Sequence, residues 1–162
     1  MKIMLKNYNN PIMNNIQISD GCWQDLNDVY SLITELGYGI LKEDFEKIFC
    51  YYLEAKNHFV LIASVDKEIC GCLSLVMYKH FFINKYRSRI ESLVVSEKFR
   101  RLGIGEKLLS EAEKVARKNA SGVIEVTSRK EIALCGALNF YKKNGYSNFG
   151  DREQIYLRKE LF

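Results

Sequence analysis

The chain has 162 residues, which is enough for one domain with a substantial core and too few for a second domain of similar size. Apolar residues make up 48% and charged residues 27%, which excludes a disordered or collagen-like chain. The net charge is only +4, and the basic residues are spread along the chain, whereas nucleic-acid binders more often concentrate them on one element. The composition therefore predicts a soluble globular domain with no nucleic-acid partner.

Membrane and secretion signals are absent from the sequence pattern. The longest uncharged apolar stretch, residues 69–78, is about half the length of a membrane span. The first ten residues lack the apolar segment of a secretory signal. The cysteines are odd in number and fit no disulfide framework, so we expect reduced thiols at positions 22, 50, 70, 72 and 135. These features predict a cytoplasmic protein with no membrane partner.

Hydrophobic periodicity predicts helices and strands in alternation. Residues 1–15, rich in asparagine, are expected to form a flexible arm, and residues 16–162 a single domain. The predicted helices cover residues 22–36, 42–56, 104–116 and 132–143. The predicted strands cover residues 16–18, 58–65, 69–78, 88–95, 123–127 and 154–157. The second and third strands form a hairpin pattern, so the fold class is α/β with a mixed rather than an all-parallel sheet.

Residues that start, stop or bury the helices can also be predicted. Ser19 or Asp20 is expected to cap the first helix and Gly37 to end it. Asn119 and Gly122 are expected to mark the end of the third helix. The second helix is predicted to bury one apolar face, formed by Leu41, Phe45, Ile48, Phe49 and Tyr52.

A strand–turn–helix segment carries the clearest chemical signal in the sequence. Its turn reads Arg100-Arg101-Leu102-Gly103-Ile104-Gly105. Two glycines in such a turn allow successive N–H groups to point into one concavity, and the unpaired donors of the helix N-terminus add to it. The two arginines supply charge, and a guanidinium can hold two phosphate oxygens. This pattern predicts an anion site, although many ordinary tight turns also contain Gly-x-Gly.

The same residues resemble a known family. Arg100-x-x-Gly103-x-Gly105 is similar to the pyrophosphate-binding motif of the Gcn5-related N-acetyltransferases. The stretch Phe140-Tyr141-Lys-Lys-Asn-Gly145-Tyr146 resembles the second signature of that family. The resemblance covers nearly the whole chain from Ile16 and implies an acyl-CoA fold, a single domain whose mixed central sheet has helices on both faces.

This resemblance implies an enzyme that uses acetyl-CoA as cosubstrate, with no metal. The pyrophosphate would lie on residues 100–105, that is on Arg100, Arg101, Leu102, Gly103, Ile104 and Gly105. The pantetheine arm would pair with backbone groups of Leu93 and Val95 like an added strand. The N–H group of Val94 or of Val95 would then stabilise the developing oxyanion.

Two residues are candidates for proton transfer. Glu91 resembles the glutamate that many relatives use as a base, often through water, and its alternative role is an ion pair with Arg87 or Arg89. Tyr141 stands where relatives place the acid that protonates the departing thiolate, and its alternative role is packing. A phenol with a pKa near 10 can donate at neutral pH without being ionised.

Three other patterns in the sequence give less information about function. Many relatives have a glycine and an Ala-His pair where this chain has Arg129 and Ala137-Leu138, so contacts of this region with CoA are not predicted. Cys70-x-Cys72 is expected to pack in the core rather than bind a metal. An aromatic group could line an acceptor pocket or cover the sheet: Tyr78, Phe81, Phe82 and Tyr86.

The leading functional hypothesis is transfer of an acetyl group from acetyl-CoA to a primary amine of a small molecule, or of a protein, by direct attack. The enzyme would act as a monomer or a homodimer. A non-catalytic module that binds or senses acyl-CoA is the alternative, and in that case Glu91 and Tyr141 would be structural. The sequence does not identify the acceptor amine.

Overall fold

A computed structural model describes residues 15–37, 39–127, 136–147 and 159 of the chain. Two compact units are present, residues 1–126 and residues 127–162. The described strands all belong to the first unit: β1 Ile16–Asp20, β2 His58–Val65, β3 Glu68–His80, β4 Ile83–Val95 and β5 Ser121–Val126. The first unit also holds three helices: α1 Leu26–Glu35, α2 Lys42–Glu54 and α3 Ile104–Lys118. The second unit holds α4, Leu138–Lys143.

The five strands form one mixed sheet in the order β1-β2-β3-β4-β5. The first three pairings are antiparallel, and β4 pairs with β5 in parallel. The turn between β2 and β3 contains Asp66 and Lys67, both with positive φ, as a tight two-residue hairpin requires. The mixed sheet predicted from the hairpin pattern is therefore confirmed, and α3 makes the crossover that a parallel pair needs.

Helices cover both faces of this sheet. Cys72 belongs to a buried cluster with residues of α1 and α2, among them Val29 and Phe49. A Cβ added to the neighbouring Gly71 would instead lie 3.3 Å from Ile104 of α3. Since successive residues of a strand point to opposite faces, α1 and α2 lie on one face and α3 lies on the other. Cys70 and Cys72 are both buried, as predicted for core thiols.

The start of α1 differs from the prediction. β1 continues through Asp20, so neither Ser19 nor Asp20 caps the helix. A short 3₁₀ turn, Trp23–Asp25, precedes α1, and the Asp25 carboxylate accepts a hydrogen bond of 2.8 Å from the backbone N–H of Cys22. Gly37 has φ +78° directly after the helix, which confirms its predicted role as the stop.

The buried face of α2 differs in part from the prediction, whereas α3 ends as predicted at Asn119, its C-cap residue. Phe45 and Phe49 are buried and Tyr52 is partly buried, but Leu41 and Ile48 are exposed. The residue with left-handed backbone after α3 is Ala120, with φ +57°, rather than a glycine. Gly122 lies within β5, where a Cβ would approach the Lys85 side chain at 3.0 Å.

Several predicted segments lie outside the described residues. These are the N-terminal arm up to residue 14, the first part of the fourth helix and the final strand over residues 154–157. Cys135 and Arg129 also lie outside them. The predicted helix over residues 132–143 is described only from residue 138 as α4.

Candidate functional site

The C-terminal half of β4 has an open edge. The pairing of β4 with β5 ends at Ile90 and Val126, so within the described residues the next five positions of β4 have no partner on that side. Ser96 donates its N–H to Cys70 on the β3 side, at 2.9 Å. Because backbone groups alternate along a strand, those of Leu93 and Val95 point to the open edge, where an extended ligand could pair. The N–H of Val94 points towards β3.

A β-bulge interrupts β4 at Glu91. Ser92 is opposite Ser74, whereas Ile90 is opposite Leu75, which leaves Glu91 as the extra residue of β4. Next to the bulge, the hydroxyls of Ser74 on β3 and Ser92 on β4 are 2.8 Å apart. Bulges bend a strand and redirect a side chain, and they are frequent beside active sites. The bulge thus presents the Glu91 carboxylate at the start of the open edge.

The surroundings of Glu91 bear on its two predicted roles. Arg87 and Arg89 make their ion pairs with Glu125, at 3.2 and 3.0 Å, so the ion pair considered as an alternative for Glu91 is not formed among the described residues. The exposed Glu91 carboxylate lies close enough to α2 to affect Tyr52. Burial, together with the nearby charge of Glu91, raises the pKa of Tyr52 to about 12.

The turn between β4 and α3 has the backbone of an anion-binding loop. Gly103 is the N-cap of α3 with φ +83°, and Arg101 also has a positive φ, of +67°. The first hydrogen bond of the helix runs from the Lys107 N–H to the Gly103 carbonyl, at 3.1 Å. The N–H groups of the preceding residues of α3 therefore have no partner within the helix. Ile104 and Gly105 are buried and anchor this turn against the core, while Leu102 is half-buried.

The two arginines of the turn have different environments. Arg100 donates from Nε to the Val95 carbonyl at 3.1 Å and from Nη1 to Glu97 at 3.0 Å. Two donors of its guanidinium therefore hold the end of β4, and its contact with phosphate stays a prediction. Arg101 is exposed and makes no ion pair within the part of the chain that the structure describes. Arg101 is thus a cation of the turn that is available to an anion.

Glu35 is a residue of this region that the sequence analysis missed. Its carboxylate accepts hydrogen bonds from Ser96 Oγ and from the Glu97 N–H, both at 3.2 Å. A negative charge at the last residue of α1 is unfavourable for the helix dipole, which these two donors offset. The partners are about sixty residues apart, so no local pattern signals the contact. Glu35 fixes the start of the turn that leads to Gly103.

Replacing Glu35 with alanine is expected to weaken CoA binding by about three- to tenfold, because the two lost hydrogen bonds let the β4–α3 turn move. Calorimetric titration of CoA measures this change. Asp28→Ala, which removes an exposed carboxylate from the same helix, is the control and should leave the affinity unchanged. Equal affinities of the Glu35 variant and the parent protein would show that Glu35 does not position the turn.

Tyr141 lies in the second unit, on α4. This helix ends in a Schellman motif: the Tyr146 N–H donates to the Tyr141 carbonyl at 3.0 Å and the Gly145 N–H to Lys142 at 3.1 Å. Gly145 has φ +86°, which explains the glycine of the second signature. The motif reverses the direction of the chain, so that the ring of Tyr146 packs against the ring of Tyr141 with centroids 5.6 Å apart. Burial raises the pKa of Tyr141 to about 12, so its phenol is protonated at neutral pH.

Comparisons with known proteins agree with this geometry. The profile of the acetyltransferase (GNAT) family matches residues 23–146, more than half of the chain. The chain belongs to the GNAT acetyltransferase family. An aminoalkylphosphonate N-acetyltransferase of Salmonella typhimurium is 32% identical over 124 residues, which cover 76% of this chain and 79% of that protein.

Solved structures share the fold of this acetyltransferase at low identity. A GNAT family acetyltransferase of Staphylococcus aureus has a TM-score of 0.72 at 20% identity, covering 91% of this chain and 99% of that one. The aminoglycoside N-acetyltransferase AAC(6')-Iy in complex with CoA has a TM-score of 0.76 at 15% identity, covering 90% and 95%. The predicted fold and the predicted family are therefore confirmed.

Three further sequence expectations can be placed in this acetyltransferase. Phe81 and Phe82 form the exposed tip of the β3–β4 hairpin, so the predicted aromatic group does not form one pocket. No group of three or more metal-ligating side chains occurs among the described residues. In the same residues, no helix has both the length and the apolar character that crossing a bilayer requires.

Proposed function

We propose that this protein transfers the acetyl group of acetyl-CoA to the primary amine of a small molecule by direct attack. The observation that carries the proposal is the open edge of β4, which begins at the Glu91 bulge and leads to the glycine turn of α3. An acyl donor with a linear amide arm and a terminal pyrophosphate has the two features that such an edge and turn can bind. Membership of the GNAT family supports this donor.

The donor would bind through backbone groups for most of its length. Leu93 and Val95 would pair with the pantetheine amides, and the turn from Arg100 to Gly105 would hold the pyrophosphate. The Val95 carbonyl already accepts from Arg100, but a carbonyl oxygen has a second lone pair for another donor. Of the two oxyanion candidates, the N–H of Val95 is favoured over that of Val94, because it points to the open edge.

Proton transfers would be divided between two side chains. Glu91 would accept the proton of the acceptor ammonium through a water molecule. Direct transfer is unfavourable, because a carboxylate pKa of about 4.3 lies far below an ammonium pKa of about 10.4. Tyr141 would donate a proton to the departing CoA thiolate. Its pKa of about 12 keeps the phenol protonated at neutral pH, and burial also makes it a weaker proton donor than a free phenol.

The test measures the release of free CoA thiol from acetyl-CoA in the presence of each of a panel of primary amines. Mass spectrometry identifies the product. An N-acetylated amine at a rate well above the amine-free rate is the expected result. Binding of acetyl-CoA without turnover of any amine would instead favour the acyl-CoA-sensing module, in which Glu91 and Tyr141 are structural.

Glu91→Gln is expected to lower the rate chiefly at low pH, where most of the acceptor is protonated and needs a base. Acetyl-CoA affinity should stay the same, because the proposed donor contacts are backbone groups. Rate measurements from pH 6 to pH 10 check this profile. Glu43→Gln, an exposed carboxylate change on α2, is the control. A rate equal to that of the parent at every pH would exclude Glu91 as the base.

A further inference from the structure

A polar cluster on the surface of the sheet is not used by the proposed transfer. Glu125 of β5 lies at its centre and accepts hydrogen bonds from Tyr78 at 2.7 Å, from Arg87 at 3.2 Å and from Arg89 at 3.2 and 3.0 Å. These residues come from three neighbouring strands, and the register places Arg87 opposite Tyr78 and beside Val123. We call these four residues the arginine cluster.

The arginine cluster holds more positive charge and more donors than its carboxylate can satisfy. Two guanidinium groups contact the single carboxylate of Glu125, an excess of one positive charge within the cluster, and the Glu91 carboxylate acts on Arg89 electrostatically without forming an ion pair with it. Arg87 uses one N–H and Arg89 two of the five that each guanidinium carries, so several donors remain. Burial opposes ionisation of Glu125, but hydrogen bonds from Tyr78 and Arg89 outweigh it and lower the carboxyl pKa. The cluster therefore keeps this charge distribution at neutral pH.

The arginine cluster is open to solvent and distant from the turn of α3. The side chains of Arg87, Arg89 and Glu125 are 20, 33 and 23% exposed, so a ligand can reach them. Six strand positions separate Arg89 from Val95, about 20 Å at roughly 3.3 Å per residue. An anion at the cluster is thus separate from a pyrophosphate at Gly103. Glu91, in contrast, follows Arg89 by only two positions on β4.

We propose that the arginine cluster binds the anionic substituent of the acceptor, so that the substrate is an amine carrying a phosphonate, phosphate or carboxylate group. This inference rests on the proposed function, because it places the acceptor amine at Glu91. An arginine fork matches the paired oxygens of such a group, and a short carbon chain spans the distance from Arg89 to the bulge.

The experiment compares two acceptors that share an amine: 2-aminoethylphosphonate and its diethyl ester, whose phosphonate group carries no charge. Arg89→Gln is expected to reduce kcat/KM for the phosphonate by about 10- to 100-fold, mainly through KM, and to change the value for the ester by less than about twofold. Arg117→Gln, which removes an exposed arginine from α3, is the control. Equal losses with both acceptors, or no loss with either, would overturn the proposal.

Glu125→Gln provides a second variant with the opposite expected sign. It removes the negative charge and leaves both arginines, so KM for the phosphonate should fall. An increase in KM for the phosphonate alone would contradict the proposal. Thermal melting and acetyl-CoA affinity show whether each variant is folded. β-Alanine and taurine, tested with the same variants, distinguish a carboxylate and a sulfonate from a phosphonate as the preferred anion.

Direct binding separates this inference from the proposed function. Ethylphosphonate has the anion but no amine, and its binding can be followed by NMR titration of the parent protein and of Arg89→Gln. If no amine is acetylated but ethylphosphonate binds in a manner that depends on Arg89, the proposed function fails and the anion site stands. If amines are acetylated without preference for an anionic group, the anion site fails and the proposed function stands.

Discussion

Replacing Gly103 with valine is expected to weaken CoA binding at least 100-fold. Gly103 has φ +83°, a conformation that a β-branched residue adopts only with strain of about 1–2 kcal/mol. The added side chain would also project at the N-terminus of α3, where the free N–H groups are proposed to meet the pyrophosphate. Strain and obstruction therefore act together on the one turn. Calorimetric titration of CoA into the folded variant measures the loss.

Two further variants separate these causes. Gly103→Ala adds a Cβ and most of the backbone strain, but much less bulk, so an intermediate loss is expected. Gly39→Val is the matched control, because no atom lies within 4 Å of a Cβ at Gly39 and no strained φ is present there. CoA affinity of Gly103→Val equal to that of the control, in a protein with an unchanged melting temperature, would remove the turn from the binding site.

Patterns with a short period predicted the fold well. Two apolar runs identified β2 with its observed ends at residues 58 and 65, and identified β3 as residues 69–78 of the observed Glu68–His80. The predicted three-residue link is a two-residue turn, because Glu68 pairs with Val65. The spacing of apolar residues identified α3, whose buried residues include Ile104, Leu108 and Ala112. These features depend on neighbours within a few residues, and for this reason a single sequence contains them.

Features that depend on distant partners were not predictable in the same way. The bulge at Glu91 depends on the register between two strands, and no residue type in β4 indicates that register. Asp25 caps its turn in place of Ser19 or Asp20, because β1 extends further to pair with β2. Glu35 reaches the β4–α3 turn only after the sheet and α1 have packed together.

In the candidate site too, the residue types of the turn were predicted from the sequence, whereas the contacts that those residues make were not. The glycines of the turn were assigned from their spacing, and the positive φ of Gly103 agrees with the reason given for it. The sequence did not predict the partners that Arg100 has within the chain, Val95 and Glu97. An arginine beside a predicted anion site has several acceptors within reach, and the sequence does not rank them.

The change Tyr141→Phe is expected to slow the chemical step by about 10²- to 10⁴-fold, the usual contribution of a positioned proton donor. The ring stays in place, so packing against Phe140 and Tyr146 and the affinity for CoA should be nearly unchanged. Because the pKa of Tyr141 is about 12, the parent enzyme should show no loss of rate between pH 7 and pH 10 from deprotonation of this phenol. A fall in that range would indicate a different acid.

Single-turnover rates are the appropriate measurement, because slow product release would hide part of the loss in steady-state rates. Tyr51→Phe removes the same hydroxyl from an exposed ring of α2 and serves as the control for the chemical change itself. A water molecule can replace part of the proton donation, which favours the lower end of the expected range. If the Tyr141 variant reaches the single-turnover rate of the parent, Tyr141 is a packing residue and the thiolate is protonated by another group.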